Sequence, residues 1–220
     1  MLDLANVTLI GIDCLNIERL LLACEISKKK IRFGEIKMLS SIPCSSPYII
    51  SINPLSSINE YSQFMIKNLY DYVNTPFALV IQWDGFVLNP RAWSSRFFDY
   101  DYIGAPWKNH HVGNGGFSLR SRSLLKQLAK DKVISTYYPE DIMICKKYRK
   151  YLEEKGFVFA PENIAIEFSV EAQPWNNQFG FHQTDISKFN LQTSLDRTWH
   201  SLLVETYVSI QGRRIEIQGF

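Results

Sequence analysis

Apolar and polar residues along the chain form blocks that predict strands and helices in alternation. The first block, VTLIGID at residues 7–13, is an apolar run that ends in an acid, which is typical of a buried parallel strand. Asn16 then provides an N-cap for an amphipathic helix, IERLLLACEISKKK, with its basic residues in the last turn. Similar patterns predict further strands at residues 35–41, 48–53, 77–85, 101–107 and 115–121.

Capping signals locate the remaining helices. Ser57 and Glu60 have the spacing of a capping box, and we expect their helix to run to about Val73. Start signals predict three more helices: a short one at Asn89-Pro90, one over residues 122–130, and one over 139–155 with Pro139 in its first position. This alternation through roughly the first 160 residues indicates an α/β sheet with parallel character.

The last quarter of the chain has a different pattern. VETYVSIQGRRIEIQ at residues 204–218 alternates as a β-hairpin does, with its turn near Gly212. The sequence contains no internal repeat, low-complexity tract or linker. We therefore expect one domain over residues 1–220, with a hairpin-like C-terminal extension at about 190–220.

Composition narrows the classes of function. A net charge of +2 disfavours nucleic acid as a partner, because binding by bulk electrostatics needs a strongly basic surface. The four cysteines show neither CxxC pairing nor metal-finger spacing, which predicts reduced thiols in a cytoplasmic protein. The sequence has no secretory signal and no apolar window of roughly 18 residues, so we expect a soluble protein without a transmembrane segment.

Two basic runs, at residues 27–32 and 146–150, leave two interpretations open. They are solvated helix faces, or they attract an anionic membrane surface at about 1 kcal/mol per basic residue. Under the second interpretation the protein associates peripherally with the inner face of the membrane.

Residues that follow the predicted strands are the candidates for chemistry, because open α/β sheets bind ligands at the carboxyl ends of their strands. Asp84 is either a ligand for a hard divalent cation or a turn residue before Gly85. Glu140 and Asp141 are either partners of a helix dipole or include a general base. Asp13 ends the first strand.

Aromatic residues, histidines and glycines offer further candidates with two interpretations each. His182 lies among aromatics and is either a packed residue or a ligand. Trp107 and Trp175 are either sugar-stacking platforms or core residues, and His110 and His111 are expected in a solvated loop. The stretch VGNGGFSLRS at residues 112–121 is either a tight turn before a strand or a place where backbone approaches a ligand closely.

Four motifs together resemble a known family. QWDG (82–85), YDYIGAPW (100–107), VGNGGFSLRS (112–121) and PED (139–141) occur in the order found in the DUF5672 family, a bacterial family of glycosyltransferase-like domains. The resemblance covers roughly residues 5–185. It implies a GT-A-like fold, which is a single α/β domain around a mixed central sheet flanked by helices.

The resemblance also implies a donor site. Gln82-Trp83-Asp84 matches the short acidic motif that binds a divalent metal and the nucleotide diphosphate, with Gln in place of the first acid. Asp84 would then hold Mn²⁺ or Mg²⁺, and His182 matches the late histidine that serves as a metal ligand. Asp13 matches the position that holds the base or ribose of the nucleotide.

Catalytic and acceptor residues follow from the same resemblance. Asp141 matches the catalytic base of inverting enzymes, and Glu140 is the neighbour that contacts the acceptor or the donor sugar. We expect four residues on the sugar and acceptor side of the cleft: Trp107, Asn114, Gly115 and Gly116.

The resulting hypothesis is an inverting glycosyltransferase. It would move a sugar from a nucleotide-sugar donor to a hydroxyl of a glycan or lipid-linked acceptor in polysaccharide or glycoconjugate synthesis. The alternative is a non-catalytic nucleotide- or carbohydrate-binding module that keeps the fold, which the Gln at position 82 favours. A dinucleotide-binding oxidoreductase is excluded, because GNGG does not follow the first strand and lacks GxGxxG spacing.

Overall fold

Strand β1 lies at the centre of a six-stranded sheet. In the computed structural model, which describes residues 1–108, 111–137, 139–171 and 173–182, the order of the strands across the sheet is β3-β2-β1-β4-β6-β5. The strands are β1 (Leu2–Ile12), β2 (Ile31–Ser40), β3 (Ile49–Ser51), β4 (Phe77–Ile81), β5 (Tyr102–Gly104) and β6 (Ser118–Ser121). A separate pair is formed by β7 (Ser169–Val170) and β8 (Gly180–Phe181).

Helices cover both faces of this sheet. They are α1 (Ile17–Lys28), α2 (Ile58–Lys67), α3 (Arg122–Lys130), α4 (Glu140–Ile142), α5 (Arg149–Glu154) and α6 (Glu162–Phe168). Side chains alternate along β1, so that Leu9 joins the core cluster under α1 and α6 while Ile10 joins the cluster under α2 and α3. Burial on both faces explains why the sequence of β1 is continuously apolar.

The sheet is mixed rather than wholly parallel. β1, β2, β3 and β4 pair in parallel, whereas β6 runs antiparallel to both β4 and β5. The α/β fold predicted from the sequence is confirmed, with the mixed central sheet flanked by helices. Parallel pairing holds for four neighbouring strands, β3-β2-β1-β4, and β6 runs in the opposite direction because the chain reverses between β5 and β6.

The predicted capping signals are confirmed, whereas two helix lengths differ from the prediction. The Asn16 side chain accepts hydrogen bonds from the first turn of α1, and Ser57 Oγ accepts one from the Glu60 backbone N–H at the start of α2. α2 ends at Lys67, and a separate 3₁₀ turn over Leu69–Tyr72 follows it, so the predicted single helix to Val73 is two segments.

The helix predicted over residues 139–155 is three segments. Pro139 is the N-cap rather than the first helical residue, and α4 passes into a π-helical turn over Met143–Lys147 before α5. The Tyr148 N–H bonds to the Met143 carbonyl, five residues back, which interrupts the α-helical pattern. The predicted hairpin at 204–218 lies outside the described residues.

No helix in the described part of the chain combines the length and the apolar content that crossing a bilayer requires.

Thiol reactivity tests the packing of α1 and of the π-helical turn. All four cysteines are free; Cys24 and Cys145 are buried, Cys14 is half-buried and Cys44 is exposed. Burial raises the pKa of the Cys24 thiol to about 12, and burial likewise raises the pKa of Cys145. Since the thiolate is the reactive form, we expect Ellman's reagent at pH 8 to modify Cys14 and Cys44 only. Complete reaction should follow denaturation in guanidinium, whereas rapid native reaction at Cys24 or Cys145 would contradict this packing.

Candidate active site

The strand directions bring the predicted site residues to one edge of the sheet. Asp13 and Gln82 follow the carboxyl ends of β1 and β4, which are neighbours in parallel pairing. Because β6 is antiparallel to β4, with Ser118 opposite Val80, the glycine loop before β6 meets this same edge. The edge is therefore the candidate active site.

Asp13 is committed to contacts within the protein. Its Oδ1 accepts hydrogen bonds from the backbone N–H groups of Leu15 (2.8 Å) and Asn16 (2.9 Å). Its Oδ2 accepts one from Arg19 Nε at 2.5 Å. Asp13 lies in the cleft as the sequence predicts, and its carboxylate holds Arg19 in place. Its contact with a nucleotide stays a prediction.

A cavity of about 360 Å³ opens beside this pair. Its wall includes Arg19, Tyr61, Gln82 and Trp83, and the Arg19 guanidinium lies over the Trp83 ring with 4.8 Å between the guanidinium carbon and the ring centroid. The rim is apolar and exposed at Leu15 and Ile58. The volume and the mixture of aromatic and polar walls suit a small organic ligand.

QWDG forms a tight turn whose side chains line the cleft. The backbone N–H groups of Gln82 and Gly85 donate to each other's carbonyl oxygens at 2.9 and 3.1 Å. The Gln82 side chain donates from Nε2 to the Tyr61 hydroxyl at 2.8 Å, and its Oε1 lies 3.0 Å from His182 Nε2. The turn interpretation of Asp84-Gly85 is thus correct, and the turn also presents Asp84 beside His182.

Asp84 has the chemistry of a cation ligand. Its Oδ1 is buried and has no hydrogen-bond partner among the described residues, with His182 Nε2 at 3.7 Å. His182 also lies 3.8 Å from Glu171 Oε1 through Nδ1. Within the described ranges no group of three or more His, Cys, Asp or Glu side chains is arranged to hold a metal. A cation here would therefore need ligands from substrate phosphates and water, as Mg²⁺ usually does.

The glycine loop accommodates side chains of the protein itself. A Cβ at Gly116 would lie 2.1 Å from His182 Nε2, and a Cβ at Gly115 would lie 1.9 Å from Glu140 Oε1. Asn114 has a left-handed backbone (φ 59°) and is buried; its Oδ1 accepts from the N–H groups of Gly116 and Phe117. Close backbone approach is confirmed, but the approaching groups are His182 and Glu140 where the sequence suggested a sugar ring.

Glu140 is buried against Arg120. Arg120 Nη2 donates to Glu140 Oε1 at 3.1 Å and to the Gly115 carbonyl at 3.2 Å, and the Arg120 side chain is fully buried. Burial raises the pKa of the Glu140 carboxyl although Arg120 opposes the shift. Glu140 thus forms an ion pair that joins β6 to α4, and its contact with a sugar stays a prediction.

Asp141 points to the glycine loop instead. Its Oδ2 accepts from the Gly115 N–H at 3.2 Å, and its Oδ1 accepts from the N–H of Ile142 at 2.7 Å. The carboxylate is partly exposed, unlike that of Glu140. Of the two acids of PED, Asp141 is thus the less buried one, and it lies against the glycine loop.

The two candidate tryptophans are packed to different extents. The Trp107 ring lies against Gly113, where a Cβ would be 2.0 Å from its Cη2, and Lys146 Nζ lies 4.5 Å from the ring centroid. Trp175 is half-buried against the main core cluster. Trp107 is near the loop as predicted, with part of its ring surface already covered.

Sequence reasoning missed three cleft residues: Arg19, Tyr61 and Arg120. Arg120 stood within the glycine motif but read as one polar position in an alternating strand. Burial and the nearby Glu140 carboxylate raise the pKa of Tyr61, so its hydroxyl stays neutral beside Gln82. The spacing of Arg19 from Asp13, six residues along the chain, gave no signal because the chain turns between them.

Comparison with known proteins assigns the chain to a family. A family model described as "Protein of unknown function (DUF5672)" matches residues 48–182, and the chain belongs to that family. No curated protein matches it. The fold resembles that of galactosyltransferase LgtC crystallised with donor and acceptor sugar analogues, at 12% identity and a TM-score of 0.43, over 88% of this chain and 99% of that one. The fold is also similar to that of an active-site mutant of LgtC, at 14% identity and a TM-score of 0.45, with the same coverage of both chains.

A double-mutant cycle tests the contact between Gly116 and His182. Gly116→Ala is expected to lower the free energy of unfolding in urea by about 1–3 kcal/mol, because the new methyl group overlaps the buried imidazole. In a His182→Ala background the same substitution should have almost no effect. An equal loss in both backgrounds would show that the loop backbone, rather than His182, requires glycine.

Proposed function

We propose that this protein is a glycosyltransferase that binds a nucleotide-sugar donor along the carboxyl edge of the sheet. The observation that carries the proposal is a continuous run of contacts along this edge. It begins at the Arg19–Trp83 cavity, passes through Gln82 and His182, and reaches the glycine loop with Asp141. Sugar transfer needs a nucleoside pocket, a diphosphate site and a base for the acceptor hydroxyl, in that order along the cleft.

The nucleoside of the donor and the phosphate next to it would occupy the cavity beside Trp83. At about 360 Å³ the cavity has the size of a small-ligand site, and its wall combines aromatic surface with the hydroxyl and amide groups of Tyr61 and Gln82. Leu15 and Ile58 at the rim would cover apolar ligand surface.

Asp84 is the residue that would hold Mn²⁺ or Mg²⁺ near the diphosphate. Its buried Oδ1, without a hydrogen-bond partner in the described residues, fits a hard cation that takes its other ligands from phosphate and water. Such a cation would neutralise charge that develops on the departing diphosphate. His182 is a weaker candidate, because its Nε2–H donates a hydrogen bond to Gln82 Oε1 and has no lone pair left for a metal.

Asp141 would act as the general base. In the proposed step the acceptor oxygen forms a bond to the anomeric carbon, the bond from that carbon to the phosphate oxygen breaks, and the hydroxyl proton passes to Asp141. Attack from the side opposite the leaving group inverts the anomeric configuration. The N–H groups of Gly115 and Ile142 fix the carboxylate in position, and Glu140 with Arg120 holds the loop.

A non-catalytic binding module is the second candidate, and one observation favours it. Gln82 occupies the place of the first acid, and both ends of its amide are engaged, by Tyr61 and by His182. Such a module would bind a nucleotide or a sugar in the same cleft and transfer nothing.

A thermal-shift panel tests donor binding. At 100 times its dissociation constant, a cognate UDP-, GDP-, CMP- or dTDP-sugar should stabilise the protein by about 2.7 kcal/mol, a rise of roughly 5–10 °C in Tm. Addition of Mn²⁺ should increase the shift in the native protein, and Asp84→Asn should remove that increase only. No shift with any donor would contradict the proposed function.

Substitution of Asp141 tests the catalytic step. With the donor found in the panel, Asp141→Asn should reduce turnover by about 10²–10⁴-fold, because the amide cannot accept the proton. Donor affinity should be unchanged, and the matched surface variant Asp99→Asn should retain full turnover. NMR of the product should show inversion at the anomeric carbon. Full turnover in Asp141→Asn would remove Asp141 as the base, and a retained configuration would remove the inverting mechanism.

A further inference from the structure

Arg19 is a fixed cation inside the donor cavity. Its Nε donates to Asp13 Oδ2, and its guanidinium lies over the Trp83 ring. The side chain is only 18% exposed, so these two contacts hold it in one place. Asp13 is itself held by two backbone N–H groups, and the position of Arg19 therefore follows from the turn between β1 and α1.

The outer nitrogens of Arg19 are available to a ligand. Its hydrogen bond to Asp13 uses Nε alone, and among the residues that the structure describes no other hydrogen bond from this guanidinium is present. A guanidinium carries five N–H donors, of which four lie on the two Nη atoms. Such a fork matches the spacing of two oxygens on one phosphate.

The backbone N–H groups near this cavity are already hydrogen-bonded within the protein. The N–H groups of Leu15 and Asn16 are bound by Asp13, and those of Glu18 and Arg19 are bound by the Asn16 side chain, so the start of α1 has little left for an anion. Arg19 is the one cationic side chain among the described residues that line the cavity.

We propose that Arg19 binds a phosphate group of a nucleoside diphosphate in this cavity, and that it does so without a metal ion. This assignment rests on the proposed function and deepens it, because it gives the donor diphosphate a counter-charge from the chain itself. This counter-charge matters because Asp84 is the single carboxylate of the QWD motif. Asp13 acts as the residue that positions Arg19.

Calorimetric titration in EDTA tests the assignment, with inorganic pyrophosphate, UDP, GDP, uridine and guanosine as probes. The native protein should bind pyrophosphate and at least one of the two diphosphates. Arg19→Gln should weaken both by about 10- to 100-fold, since charge-assisted hydrogen bonds are lost, and should leave nucleoside affinity unchanged. Arg19→Lys keeps the charge without the forked guanidinium, and its affinity for pyrophosphate and diphosphate should lie between that of the native protein and that of Arg19→Gln.

Arg32→Gln is the matched control, because it removes the same charge from an exposed pair with Asp3 and should change no affinity. Circular dichroism verifies that each variant is folded. If Arg19→Gln does not fold, the affinity of Arg19→Lys decides the outcome. The assignment would be overturned if the native protein in EDTA bound neither pyrophosphate, UDP nor GDP. It would also be overturned if Arg19→Gln bound them with the same affinities as the native protein.

The outcome is separable from that of the proposed function. Sugar transfer by the native protein, together with unchanged diphosphate affinity in Arg19→Gln, would overturn the role of Arg19 and leave the transferase intact. Diphosphate binding that depends on Arg19, without transfer from any donor, would support Arg19 and overturn the transferase.

Discussion

The buried ion pair between Arg120 and Glu140 is the interaction on which the rest of the cleft depends. Arg120 projects from β6 with no solvent exposure and binds both the Glu140 carboxylate and the Gly115 carbonyl. Removal of one member of a buried pair typically costs about 3–5 kcal/mol, because the other charge stays buried without a partner. The pair therefore fixes the glycine loop relative to α4, and with it the position of Asp141.

His182 connects the two halves of this cleft. Its ring fills the space left by Gly116 on one side and reaches Gln82 and Asp84 on the other. The Tyr61 hydroxyl extends the same network to the cavity that Arg19 and Trp83 line. A ligand that spans the cleft would thus meet a cation and an aromatic ring at one end and the Asp141 carboxylate at the other.

Turns in QWDG and bends in the glycine loop keep their residues at the edge of the sheet that forms the candidate site. QWDG is a turn, and the turn presents Asp84 beside His182. The GNGG loop bends around the Asn114 side chain, and its glycines also give room to two buried polar side chains of the protein. Local geometry and site geometry coincide here because the edge of an α/β sheet is made of turns.

The sequence by itself determined the elements and their edge. Apolar runs identify β1 and β4, capping residues locate α1 and α2, and the position of Asp13, Asp84 and Asp141 after strands or before a helix follows from periodicity and local hydrogen bonding. Only the tertiary structure decided the direction of β6, the pairing of Arg120 with Glu140 and the use of Asp13 to hold Arg19. Those contacts join residues distant along the chain or across a turn, and a buried charge is stable only beside a partner that local sequence does not reveal.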